Sequence, residues 1–248
     1  MLNKKRAFTV VELTLACALF GLVSLLMLTA LKDVSDIWRK TGGKDEAMRN
    51  ILKAKASLQR DLANSGGKPG QWATASVGPN LAPGKDSDAL TFLSSDNGAS
   101  TSNWSVQANG NPGFACQITY YGVIPNLPCP GGIVVAAGPA DAQGYEQQHP
   151  FKWLIRRVDP APPATPPAIN PGWNAWLTQP TSYALGPSQK VVCDQLLQFR
   201  VIRGAPLWAL ELRAVSVAEI KRKLSLGSVP LSQGPYTVAQ QFSVSSGN

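Results

Sequence analysis

The run Phe8 to Leu31 holds 24 residues with one charge, Glu12, and no proline. At about 1.5 Å rise per residue it makes a helix of roughly 36 Å, enough to cross a hydrocarbon core of about 30 Å. Lys4, Lys5 and Arg6 stand just before it. Such a basic flank places the N-terminus on the cytoplasmic side and the 217 residues after Leu31 across the membrane. Glu12 is the anomaly, because a carboxylate inside a span costs several kcal/mol and needs a partner. A cut between Ala7 and Phe8 would create an amino group close to it, and Phe8 of one copy would then neutralise Glu12 of a neighbour.

A cleaved secretory signal fits this stretch less well. It would have an apolar region of about 7–15 residues followed by a small-residue cleavage site. This run is longer, carries a carboxylate and ends without such a site. Thr14-Leu15-Ala16-Cys17 weakly suggests a lipoprotein box with Cys17 as the lipidated residue, but Thr14 stands where Leu is usual and the apolar run continues beyond. A plain membrane anchor is the remaining alternative.

Lys4 to Glu12, with the apolar helix behind it, resembles the class III signal of type IV pilins and type II secretion pseudopilins. The resemblance implies that a prepilin peptidase removes residues 1–7 after Ala7 and methylates Phe8, and that Glu12 is the assembly carboxylate. The family nearly always has Gly before the cut; Ala7 is the smallest substitute, so processing is expected to survive. It further implies an inner-membrane precursor that an assembly platform extracts into a filament with other minor and major subunits, its helix resting in lipid beforehand.

Helical rhythm continues beyond the span. Ala47, Ile51, Ala54, Leu58 and Leu62 recur at spacings that bury one helix face, leaving Arg49, Lys53, Arg60 and Asp61 for the others. Gly42-Gly43 predicts a kink or local break, at about 1 kcal/mol per glycine. Asn64-Ser65-Gly66-Gly67 supplies the stop. The segments are therefore a leader (1–7), a membrane or filament-core helix (8–31), an amphipathic second half (32–65) and a β-rich extracytoplasmic domain (66–248).

In that last segment, Gly66 to Asp88 reads as a connection. Strands are expected at Ala89–Ser94, Cys116–Ile124, Gly132–Ala137, Phe151–Val158, Leu196–Arg203, Leu207–Val217 and Tyr236–Val244. A proline-rich extended surface loop is expected over 159–173, and a short helix over Ser216–Leu226. Twenty Pro and 22 Gly suit loop-rich β structure. The fold class is α+β: a long N-terminal helix, its first half membrane-spanning, packed on an antiparallel sheet.

The order of motifs carries a second resemblance. Leu58-Gln59-Arg60-Asp61-Leu62-Ala63, then Ala89-Leu90-Thr91-Phe92, Ile118-Thr119-Tyr120-Tyr121, Leu154-Ile155-Arg156-Arg157, Gln198-Phe199-Arg200-Val201, Trp208 and Leu210-Glu211-Leu212-Arg213 are similar to the sequence of elements in minor pseudopilin J and minor pilin W types. That likeness implies two small antiparallel sheets after the helix and a minor subunit that initiates or caps a filament.

Chemistry-bearing residues are sparse. Cys17 lies in the span; Cys116, Cys129 and Cys193 lie on the oxidising side. A Cys116–Cys129 disulfide ranks first on loop closure, against free thiols or a pairing that uses Cys193. With His149 as the one histidine, expected exposed in its loop, there is little material for a nucleophile–base pair, and no cofactor, metal site or enzymatic activity is expected. Asp86, Asp88, Asp96 and Asn97 match no calcium-loop spacing and read as solvated acids. The net charge of +8 falls to about +5 without the leader. Arg156, Arg157, Arg200, Arg203, Arg213 and Lys221 to Lys223, with Trp153, Phe199 and Trp208 near them, make nucleic-acid contact a minor alternative. Besides the structural subunit, two further classes stand: a pilus-tip adhesin or DNA receptor, and, with least support, a membrane-anchored enzyme.

Overall fold

The computed structural model describes residues 10–78, 84–96, 105–106, 112–129, 140–147, 149, 151–163, 166–216 and 237–246, with backbone alone at 39, 40, 105, 106 and 112. Helix α1 runs Val10–Ala63. The strands are β1 (Trp72–Val77), β2 (Ser87–Ser94), β3 (Ser105–Val106), β4 (Pro112–Gly113), β5 (Cys116–Val123), β6 (Lys152–Pro160), β7 (Gln189–Arg203), β8 (Leu207–Val215) and β9 (Thr237–Ser245), with a 3-10 turn at Trp173–Trp176. The class is α+β. The expected strand at 132–137, the helix over 216–226 apart from Ser216, and residues 1–9 with the leader and Phe8 lie outside the described residues.

The chain divides into two compact units after Gly42. Helical structure nonetheless continues through Gly42-Gly43, so the expected break is absent: the glycines mark the boundary between units without ending the helix. In the second unit, the residues read from periodicity are the ones buried. Ala47, Ile51, Ala54, Leu58 and Leu62 enter one core with Leu90, Phe92, Ile118, Tyr120, Leu154, Phe199, Trp208 and Leu212. Each large side chain in that stripe contributes roughly 1.5–3 kcal/mol by leaving water.

Seven strands form one antiparallel sheet in the order β1-β2-β5-β6-β7-β8-β9. Among the described residues this single sheet, plus the two-stranded β3–β4 ribbon, stands in place of the two small sheets that the resemblance implied. Near-neighbour strands explain it: every step in the order follows the chain, so each strand pairs with the next long one. Six expected strands are present, and β1 is an addition. Its sequence Trp72-Ala73-Thr74-Ala75-Ser76-Val77 lies inside the stretch read as a connection, and it forms by adding an edge to β2 with Trp72 opposite Phe92.

The sheet is covered on both faces at β2, β5 and the start of β6. Successive side chains point to opposite sides of a strand. Thus Leu90, Ile118, Tyr120 and Leu154 meet α1, while Ala89, Tyr121, Val123, Trp153 and Ile155 form a second cluster with Trp173, against which Ile169, Trp176 and Leu177 pack. Most of the described proline-rich segment is an irregular, exposed or half-exposed loop, but its ends are not: Asp159 and Pro160 belong to β6, and Ile169 and Trp173 turn back onto the sheet. The Ile169 N–H donates to the Gly70 carbonyl, and the Asn170 N–H to Oε1 of Gln117.

One carboxylate joins the helix end to the sheet. Asp61 is 2% exposed. Its Oδ2 accepts from the Tyr120 hydroxyl at 2.6 Å and from Arg156 Nε, and its Oδ1 accepts from Arg60 at 3.2 Å. Tyr120 and Arg156 are register partners on β5 and β6, so the two strands present both donors side by side. Ser57 Oγ, one turn earlier on α1, lies 2.7 Å from the same phenol. Removing one partner of a buried pair leaves the other charge uncompensated, at a cost of about 3–5 kcal/mol. In urea denaturation of the detergent-solubilised chain, Asp61→Ala should therefore lower stability by about 3 kcal/mol, and Asp61→Leu with Arg156→Met should recover much of it. A loss below about 1 kcal/mol for Asp61→Ala would show that this carboxylate does not anchor the helix.

Candidate functional site

The first unit carries the feature most in need of a partner. From Val10 the helix presents Leu13, Leu15, Phe20, Leu25, Met27 and Leu28 as exposed side chains, and none of its most apolar stretch is buried within the protein. It is long and apolar enough to cross a membrane. Two polar side chains in it are turned inward on the helix: Thr14 Oγ1 donates to the Val11 carbonyl at 2.9 Å and Thr29 Oγ1 to the Leu26 carbonyl at 2.8 Å. Such back-bonding satisfies a hydroxyl without water. Glu12 lies in the first described turn and is exposed. Lys4, Lys5, Arg6, Ala7 and Phe8 lie outside the described residues.

In the second unit four of the five named strand arginines are held in ion pairs, while Arg203 is exposed. Arg156 is held by Asp61, Arg157 by Asp159 at 2.8 Å, and Arg200 and Arg213 share Glu211 at 3.3 and 2.7 Å. The aromatics named with them are in the core: Phe199 and Trp208 are fully buried, and Trp153 faces the second cluster. Lys221 to Lys223 lie outside the described residues.

The expected Cys116–Cys129 disulfide is absent, and Cys17, Cys116, Cys129 and Cys193 are all free. Cys116 opens β5, and the eight residues of that strand carry the chain about 23 Å away before the turn that holds Cys129. A disulfide needs its Cα atoms within about 7 Å. Cys116 Sγ instead lies against the carbonyls of Ser94 and Asp96. Burial pushes the Cys116 and Cys193 thiols up to about 12, which makes them poor nucleophiles.

His149 is also corrected, from exposed to 4% exposed. Its Nε2 is 3.8 Å from Cys129 Sγ, its ring meets Phe151 edge-on, and its backbone N–H donates to the Glu146 carboxylate. Close by, Lys152 is completely buried; its Nζ donates to the carbonyls of Glu146 and Leu197 and pairs with Glu146 Oε2 at 3.0 Å. Burial drives the His149 pKa down to about 4, an effect that Lys152 reinforces and Glu146 opposes. Cys129 and His149 line a cavity of about 420 Å³ walled by Phe151, Trp153 and Tyr183. Burial also raises the Cys129 thiol, so the pair is a neutral thiol beside a neutral imidazole, unlike an activated nucleophile.

Asp86 and Asp88, read as solvated acids, are buried as well. Asp86 Oδ2 accepts from the Ile124 N–H, and Asp88 Oδ2 accepts from the Tyr145 hydroxyl and the Val201 N–H, both at 2.8 Å. Asp88 also pairs with Lys85 at 3.4 Å. These acids tie β2 to the β5 end and to β7. Asn97 lies outside the described residues, and among the described residues no three metal-ligating side chains cluster. Apart from Lys85, each partner is 38 or more positions away, so the sequence carried no signal for these contacts.

No family model, curated protein or solved structure matches this chain.

His149 gives a pH dependence whose sign follows from its depressed pKa. The unfolded chain takes up its proton near pH 6.5 and the folded chain only near 4, so His149 lowers stability as pH falls from 6.5 towards 4. The loss approaches roughly 3 kcal/mol at the lower end. Comparison of urea midpoints at pH 7 and pH 5 should show a smaller drop for His149→Gln than for the natural chain; equal drops would contradict a neutral buried imidazole. Alkylation under denaturing, non-reducing conditions followed by peptide mass analysis should find Cys116 and Cys129 as separate thiols, and a linked peptide pair would refute this arrangement.

Proposed function

We propose that the chain is a minor pilin or pseudopilin: a structural subunit that helps initiate or cap a type IV pilus-like or type II secretion filament. The observation that carries this reading is the exposed apolar helix with Glu12 in its first turn, directly behind the basic leader that ends at Ala7-Phe8. A chain with so much exposed apolar surface requires lipid or other apolar helices around it. Both are supplied in turn: lipid while the precursor sits in the bacterial inner membrane, and neighbouring subunits once the assembly platform has drawn it into the filament.

Each residue then has a physical task. Lys4, Lys5 and Arg6 hold the leader on the cytoplasmic side. Cleavage by the prepilin peptidase between Ala7 and Phe8 turns a neutral peptide nitrogen into an amine, and the methylated Phe8 amine of one subunit meets Glu12 of the next. In a medium of low dielectric that pair is strong enough to select one axial register among helices whose apolar surfaces would otherwise slide. The second half of α1, fastened to its sheet through Leu58, Leu62 and Asp61, keeps the globular unit attached to the helix that assembles.

Mass analysis of the intact protein and its N-terminal peptide, taken from native membranes, tests the first step. The expected mature chain begins at N-methyl-Phe8; a chain retaining Met1–Ala7 in cells with a working prepilin peptidase makes the protein a static anchor. Glu12→Ala tests the second. Cleavage should continue while incorporation into filaments falls at least tenfold, about 1.4 kcal/mol of lost assembly energy. Normal incorporation of Glu12→Ala would remove the register role.

A further inference from the structure

A groove of about 870 Å³ runs along the second half of α1, between that helix and strands β6 and β7. Its lining carries four cations, Lys53 and Arg60 from α1, Arg156 from β6 and Lys190 from β7, against one carboxylate, Asp194. Lys53 and Arg60 are seven residues apart, two helical turns, and so share a face. Arg156 and Lys190 are register partners on adjacent antiparallel strands. Side chains so placed have Cβ atoms about 4.5–5.5 Å apart, and like charges there repel.

Asp61 compensates only part of this charge. It takes Arg60 and Arg156, both of which reach it from the groove wall. Lys53 and Lys190 are exposed, and among the described residues neither has a carboxylate within ion-pair distance. Among the described residues the groove therefore holds two ammonium groups outside ion-pair distance of any carboxylate, beside two guanidinium groups that both reach Asp61. An anion seated there relieves the repulsion as well as gaining its own attraction.

The lining also selects the kind of anion. No aromatic side chain is among the described lining residues, so bases have nothing to stack on. Asp194 on the same wall opposes an unbroken row of phosphates. Ala56 and Val192 offer small apolar patches between the charges, and Asn50 adds a side-chain amide. A polypeptide with spaced carboxylates and small side chains matches this alternation. We infer that the groove docks an acidic polypeptide segment of a partner protein, with Lys53 and Lys190 as the principal contacts. The inference is independent of the filament reading, since it uses only the second unit.

Fluorescence anisotropy of a labelled peptide of alternating Glu and Ala, titrated with the full-length chain in detergent micelles at low salt, tests it. Lys53→Gln combined with Lys190→Gln should weaken binding about tenfold, as expected from two contacts near the upper range for exposed ion pairs. Lys44→Gln combined with Lys68→Gln removes the same charge outside the groove and should change binding less than about twofold. Both lysines of the groove are exposed, so a thermal melt matching that of the natural chain establishes that the variant is folded. The inference is overturned if the natural chain does not bind the peptide, or if the two double variants weaken it equally. It is also overturned if an oligothymidylate of equal charge binds more tightly than the peptide and loses that binding in the groove variant, which would make this a phosphate-polymer site.

Discussion

A buried carboxylate is stable only when its surroundings replace the water it has lost, and the second unit is arranged around one that is. Asp61 closes the last turn of α1 and collects a phenol and two guanidinium groups. Those donors come from β5, β6 and the helix itself, so a single side chain sets where the helix end lies against the sheet. The apolar stripe supplies most of the driving force, but it is non-directional and would tolerate small slips along the strands. The hydrogen bonds of Asp61 do not tolerate them. Tyr120 binds both Ser57 and Asp61, and so measures one helical turn against one position on β5.

The same helix meets two different environments. Before Gly42 its large apolar side chains have no cover within the protein, whereas after Gly43 every fourth or third residue is sealed against the sheet. The hydrophobic effect acts on both halves but is satisfied internally in only one. Among the described residues nothing covers the most apolar stretch of the first half.

Polar groups elsewhere repeat the pattern of buried charge with full coordination. Lys152 is enclosed between Glu146 and the Leu197 carbonyl, and Asp88 gathers Lys85, Tyr145 and the Val201 N–H. Each such site connects segments far apart in the chain and stiffens an antiparallel sheet whose loops are long. The groove beside α1 differs, because among the described residues its two ammonium groups have no carboxylate within ion-pair distance. Where these buried sites neutralise their own charge, the groove keeps four cations against Asp194 and the shared Asp61, and such an excess is a property of recognition surfaces more than of cores.

Periodicity made the helix and most of its packing legible. Ala47 to Leu62 follow a helical stripe, and the apolar runs at Leu90, Ile118, Leu154, Leu210 and Phe242 lie on observed strands, because burial acts on residues that local geometry has already brought to one face. The apolar span beginning at Val10 was equally plain, being a matter of length and charge alone. Other features depended on partners distant in sequence. β1 has a weak pattern and exists by pairing with β2; His149 and Asp88 look polar and exposed until the chain closes over them; Cys116 and Cys129 look close until an eight-residue strand separates them. The sequence by itself determined which surfaces need covering, since hydrophobicity and spacing are local. Only the tertiary structure decided which polar groups meet, because ion pairs, hydrogen bonds and disulfides depend on distances of a few ångströms between segments that no local rule connects.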